Sequence, residues 1–181
     1  MSELDDAWAL ALAEAEARAR AAGRTDISEY LALRSANDLI RKVASEWLLT
    51  LFEAVAAEAN RAGAPIQIVR KDGHRFKVGH ASMVGRSLQL GNRVRTLLVE
   101  LGWPRTPRDG FIRGGGLACG NIKHVGIKSA SEELLLKLSP SGVPRWIVQG
   151  KRGPRSQIHE ANVRNHIAIL LDDTRMGSKH A

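Results

Sequence analysis

Ile66-Gln67-Ile68-Val69-Arg70-Lys71-Asp72-Gly73-His74-Arg75-Phe76-Lys77-Val78-Gly79 decides how this chain reads. Two short stretches, Ile66 to Lys71 and His74 to Gly79, flank Asp72-Gly73. Asp-Gly is a strong two-residue hairpin signal, because a type I′ turn needs positive φ and glycine supplies it without strain. The segment therefore predicts an antiparallel hairpin. A turn there would set Arg70 opposite Arg75 on one face, with Lys77 a step along. Like charges so placed repel, and a phosphate, a nucleic-acid backbone or an acidic helix would relieve them.

Downstream the same texture continues. Arg86 to Leu90 and Arg93 to Leu101 flank Gly91-Asn92; Leu117 to Lys128, Glu132 to Leu138 and Val143 to Val148 follow, with Pro140-Ser141-Gly142 as a further turn. Val94, Leu97, Leu98 and Leu101 also fit a short helix. Arg93 and Arg95 would then sit in its positive first turn, which favours the strand reading. The expectation is a meander of six to seven strands.

Upstream, the period changes to that of a helix. Leu4, Trp8, Leu12, Ala15 and Ala19 trace one face from a cap at Ser2 as far as Gly23. That face is mostly alanine and adds little hydrophobic free energy, so the helix lies thinly on the domain or packs on a second copy. Asp26 with Glu29 resembles a capping box, and Leu33, Ala36, Ile40, Val43, Trp47, Leu51 and Ala54 mark the core face of a second helix, stopped by Gly63 and Pro65. From Trp47 to Phe52 this helix is apolar almost all round, which predicts contact on two sides. Beyond the sheet, Lys151 to Arg155 reads as a basic linker and Ser156 as the cap of a last helix that buries Val163, Ile167, Leu170 and Leu171. The tail after Asp173 reads as frayed. The expected fold is α+β: two N-terminal helices packed on an antiparallel meander, then a C-terminal helix. It forms one domain over 1–181, with an acidic helical part at 1–63, a basic sheet at 65–149, and linker, helix and tail at 150–181.

Charge divides along the same line. Residues 1–60 hold 6 Lys/Arg against 11 Asp/Glu, and residues 61–181 hold 21 against 8, so the sheet half carries the whole basic excess. A field of one sign steers polyanions, though it says nothing of chemistry. Within that half, Trp103 to Gly116 forms an irregular segment of 14 residues, longer than most connections in compact domains. It presents Arg105, Arg108 and Arg113 beside Trp103 and Phe111, the mixture a single-stranded nucleic-acid groove uses: guanidiniums for phosphates and rings for bases. Arg145 beside Trp146, followed by Lys151, Arg152 and Arg155, makes a third basic cluster.

Three classes of function fit. The favoured one is a small basic protein that binds nucleic acid, either RNA or single-stranded DNA, through the sheet face (Arg70, Arg75, Lys77, Arg145, Lys151, Arg152) and the 103–116 loop. The second is an assembly subunit, a homo-oligomer or a protein partner's companion, in which acidic helices meet a basic sheet. The third is an enzyme on an anionic substrate, with His74, His80 or His124 as base.

Motifs narrow the third class. Gly114-Gly115-Gly116 lacks the lysine and spacing of a phosphate-binding loop, and His159-Glu160 precedes His166 by seven residues rather than the four of a zinc helix. Cys119 and His124, five apart, fall on opposite faces of a regular strand, so the cysteine reads as a buried thiol. No cofactor or metal is expected. One cysteine forms no internal disulfide, and the opening residues do not resemble a signal peptide. Apolar runs such as Trp8 to Ala13 are too short for a membrane span. The expected setting is cytoplasmic, with no membrane partner.

Overall fold

The structure, a computed structural model, describes residues 3–150 and 153–171. Two helices, α1 (Glu3–Ala21) and α2 (Thr25–Arg61), precede seven strands: β1 (Gln67–Val78), β2 (Ala81–Asn92), β3 (Arg95–Trp103), β4 (Ala118–His124), β5 (Glu132–Leu138), β6 (Pro144–Gly150) and β7 (Gly153–Gln157). Helix α3 (Glu160–Leu171) closes the series. The strands form one antiparallel sheet in sequence order. This is the α+β arrangement the sequence predicts, and the 93–101 stretch holds a strand from Arg95 rather than a helix. Among the described residues no helix is long and apolar enough to cross a membrane.

The first hairpin lies elsewhere than expected. β1 runs straight through Asp72-Gly73, where Gly73 uses its positive φ to make a bulge, and the chain reverses at Gly79-His80, with Val78 facing Ala81. A bulge satisfies an Asp-Gly pair as well as a turn does, and the longer strand gains a full ladder with β2. Arg70 and Arg75 therefore share a strand, facing Leu88 and Val84, and do not oppose each other. The second turn shifts two residues, from Gly91-Asn92 to Arg93-Val94. Asn92 is retained in the ladder opposite Arg95, and both residues reach α3: Asn92 Nδ2 donates to Leu170 O (3.2 Å) and Arg95 to Ile169 O (2.7 Å). Those bonds occupy carbonyls that a helix C-terminus leaves open.

The expected linker contains the seventh strand, so Ser156 is not the cap of α3. The N-terminus of α3 is instead closed where His159 N–H donates to Asn162 Oδ1 (2.9 Å). Asp26 and Glu29 do not form a capping box either; Arg24 is the cap residue and no side chain caps it. The cap at Ser2 and the tail from 172 lie outside the described residues, as does the side chain of Leu4.

One face of the sheet carries the core. Leu88, Leu90, Leu97, Val99, Leu101, Ile122, Leu134, Leu136, Trp146 and Val148 pack beneath Leu48, Leu49, Phe52, Val55 and Ala56 of α2 and beneath Val163, Ile167 and Leu170 of α3. Trp146 Nε1 donates to Ala44 O (2.9 Å), pinning the sheet to α2. Asn60 exchanges two 2.8 Å bonds with Ile66 and fixes the entry into β1. The buried face of α2 is thus rotated from the predicted stripe: Leu33, Val43 and Trp47 are exposed, together with Leu39. The far face holds a second, smaller cluster of Phe76, Ala81, Met83, Cys119 and Leu135.

Candidate functional site

The acidic helix covers part of the basic sheet within one chain. Arg70 is paired with Glu46 (2.5 Å) and Glu53 (3.5 Å), and Arg86 with Glu46 (2.6 Å) and Asp72 (3.0 Å). Burial would raise the Glu46 carboxyl, but Arg70 and Arg86 outweigh it and hold it below its ordinary range. Arg70 thus has its counter-charge from an acidic helix. Arg75 and Lys77 remain exposed on the edge strand, and Arg75 lies close enough to Asp109 to help lower its pKa.

The 103–116 segment is ordered around that same Asp109. A 3-10 turn spans Pro107–Asp109, and Asp109 Oδ2 accepts from Thr106 N (2.9 Å), Thr106 Oγ1 (3.0 Å) and Arg105 N (3.1 Å). The Thr106 amide and hydroxyl hold the carboxyl below its ordinary range. At one end Trp103 terminates β3 with only 4% of its surface exposed, so it anchors the segment and offers no ring to a base. The Arg105 guanidinium lies 4.1 Å over its ring and that of Arg41 lies 5.9 Å away. Phe111 is the opposite case, 82% exposed at the crest. Arg108 and Arg113 are exposed on either side of it.

Phe111 separates two clefts. The first, about 390 Å³, lies between α2 and the segment and is lined by Tyr30, Arg34, Arg41, Arg105 and Phe111. Arg41 Nε donates to Leu117 O (2.7 Å) and its Nη1 to Asp38 Oδ1 (2.6 Å), while Arg34 donates to Arg105 O (3.4 Å). A guanidinium has five N–H donors, more than these internal bonds engage. The second cleft, about 550 Å³, opens onto the far face of the sheet, among Met83, Cys119, Glu133, Leu135 and Gln149, with Phe111 and Arg113 over it. Burial, with help from Glu133, pushes the Cys119 thiol up to about 11, so it stays protonated and unreactive near neutral pH.

Of the basic residues singled out in sequence, Arg105, Arg108 and Arg113 gather with Phe111. Arg70 does not, and Arg145 is exposed beside Trp47, outside the lining of both clefts. Lys151 and Arg152 lie outside the described residues. Tyr30, Arg34 and Arg41 were missed. Their signal was present, because Tyr30, Arg34, Asn37 and Arg41 recur at i, i+4, i+7 and i+11, a polar ridge along one side of the helix.

The described histidines do not converge on one cleft. His74 pairs with Glu100 (2.7 Å) on the far face, and His80 lies at the β1–β2 turn. His124 and His166 are buried together on the core side, Nε2 to Nδ1 at 3.0 Å, and His166 Nε2 meets Glu132 at 3.3 Å. Among the described residues no group of His, Cys, Asp or Glu is placed to hold a metal ion. No family model, curated protein or solved structure matches this chain.

Proposed function

We propose that the protein binds single-stranded nucleic acid, RNA or DNA, in the groove between α2 and the 104–117 connection. The observation that carries this reading is the lining of that groove: three guanidiniums, Arg34, Arg41 and Arg105, face two exposed rings, Tyr30 and Phe111. Guanidiniums neutralise phosphates, and rings stack on bases of any sequence. Arg108 and Arg113 extend the positive surface on either side of Phe111. A duplex, whose bases are already stacked on one another, would have no use for the rings.

The test is a titration of the full chain against labelled single-stranded RNA, single-stranded DNA and duplex DNA at about 50 and 200 mM salt, where counterion release from several phosphates predicts a large loss of affinity. Phe111→Ala is expected to weaken single-strand binding by about tenfold, one lost base stack, with no change in thermal stability since the ring is exposed. The pair Arg108→Glu/Arg113→Glu is expected to weaken all sequences equally and flatten the salt dependence. Unchanged affinity in both variants would remove this segment from the interface.

A second reading, assembly through a copy of the same chain, is favoured by a separate observation. Leu39, Val43 and Trp47 lie along α2 outside the groove with exposures of 49–63%. Leu39 to Trp47 spans about 12 Å of helix, and exposed apolar side chains spaced at i, i+4 and i+8 mark a contact surface. Val43→Glu or Trp47→Glu is expected to convert a concentration-dependent dimer to monomer in sedimentation. A monomer at every concentration in the parent chain would end this reading.

A further inference from the structure

The sheet register sets six polar side chains in one row across the face turned away from the helices. Lys71, Ser87, Glu100, Asn121, Glu133 and Gln149 face one another in succession from β1 to β6. The next row along holds His74, Gly85, Gly102, Cys119, Leu135 and Ile147, mostly small or apolar. A polar row inside a partly buried surface is costly unless its groups are satisfied.

Around Glu100 the row is satisfied. Glu100 accepts from Lys123 (2.6 Å), His74 (2.7 Å) and Asn121 (3.2 Å). Burial would raise this carboxyl, yet those bonds hold it below its ordinary range. The second half does not close on itself in the same way. Glu133 and Gln149 are direct partners on adjacent strands, so their Cβ atoms are about 5 Å apart. Both residues line the 550 Å³ cleft, and the Gln149 amide nitrogen, turned into the protein, has no hydrogen-bond acceptor among the described residues. A donor and an anionic acceptor thus stand side by side, between walls of Met83, Ile112 and Leu135, beneath Phe111 and Arg113.

We propose that this cleft takes one unpaired guanine base of the bound strand, with the Glu133 carboxylate accepting from its ring N–H and exocyclic amine and the unsatisfied Gln149 amide turning into the cleft to donate to the guanine carbonyl oxygen. The inference rests on the nucleic-acid reading above and specifies which base the site selects. Guanine carries an acceptor and two adjacent donors along one edge, the complement of an amide N–H beside a carboxylate. Uracil has a single ring donor flanked by two carbonyls, one of which would meet the carboxylate. Adenine has a ring acceptor where guanine has its N–H, and cytosine supplies one donor group rather than two. The flat ring fits between apolar walls, and Arg113 at the mouth meets the attached phosphate. The volume lies in the range of about 300–1,000 Å³ usual for small-ligand sites.

Calorimetric titration of the full chain with the guanosine, adenosine, cytidine and uridine 5′-monophosphates tests the cleft alone. Uridine heptamers with and without one central guanosine test it on a strand. The guanosine nucleotide is expected to bind about tenfold or more tightly than the other three. Glu133→Gln, at an exposed position that leaves the fold intact, is expected to erase that preference. Equal binding of the four nucleotides, no binding of any, or a guanine preference that survives Glu133→Gln would overturn the proposal. Heptamers that bind equally well with and without guanosine would overturn it while leaving the groove in place. A guanosine nucleotide preference without binding of either heptamer would support the cleft and remove the single-strand reading.

Discussion

Gly85→Ala is expected to destabilise the protein by at least about 3 kcal/mol, the upper end of what an overpacked site costs. A Cβ built on Gly85 would sit 2.0 Å from the carbonyl oxygen of Leu101 and 2.6 Å from the Cα of Gly102. Both are backbone atoms of the adjacent strand, so no rotamer change relieves the contact. Gly102 has the reciprocal restriction, 2.9 Å from the Val84 carbonyl. The two glycines are register partners where β2 and β3 approach most closely, a common use of glycine inside a strand. Gly91→Ala is the matched control in the same strand, because its Cβ would meet only the Gln67 Cβ at 3.9 Å. That variant is expected to stay within about 1 kcal/mol of the parent chain. Urea midpoints compare the two directly. Equal midpoints would mean that β2 and β3 do not approach so closely.

Stability is expected to fall as pH drops from about 6.5 to about 4, by as much as about 3 kcal/mol. The source is the buried His124–His166 pair. Burial, with the neighbouring His166 and Arg95 charges, brings His124 down to about 4. His166 is also lowered by burial, against the opposing pull of Glu132. Above pH 6.5 both histidines are neutral in the folded and unfolded chain and the pair contributes no pH dependence. Below it the unfolded chain takes up protons that the folded chain refuses, so acid favours unfolding. Carboxylates such as Glu100 and Glu46, whose pKa values are lowered, lose their contribution only as pH falls below about 4.5, which separates the two windows. His124→Gln keeps an amide within reach of His166 and does not titrate. Denaturant unfolding at stepped pH should show the slope between 6.5 and 4 reduced in this variant. A flat profile in the parent chain over that window would mean that the pair is not buried neutral.

The histidine pair lies at the joint between helices and sheet, and the groove beside α2 depends on that joint. Arg41 links α2 to Leu117 O at the start of β4, and Trp146 links β6 to Ala44. A change that loosens α2 would widen the groove with Arg34, Arg41 and Arg105. A loss of binding is therefore attributed to the interface only where the urea midpoint is unchanged, as expected for Phe111→Ala.

Local patterning determined the element types. Turn residues between short apolar runs made antiparallel strands, the helical period made α1, α2 and α3, and Arg93 with Arg95 argued correctly against a helix at 93–101. Register was less legible, because the two-residue signals Asp72-Gly73 and Gly91-Asn92 suit a bulge or a ladder position as well as a turn. Which alternative is used depends on the length of ladder each strand gains from its neighbours. The faces of α2 were ambiguous for a similar reason. A helix apolar on most sides has more than one candidate core stripe, and the sheet beneath it selected Leu48, Leu49, Phe52 and Val55 over Leu33, Val43 and Trp47.

For the site, composition alone brought Arg105, Arg108, Phe111 and Arg113 together, since they are near one another in the chain. The sequence could not pair Arg70 with Glu46, bring Arg34 and Arg41 to face Arg105 across a groove, or set Glu133 opposite Gln149. Those juxtapositions join residues 16 to 71 positions apart. Only the register of the sheet and the docking of α2 upon it, set by the burial of one shared core, decide such pairings.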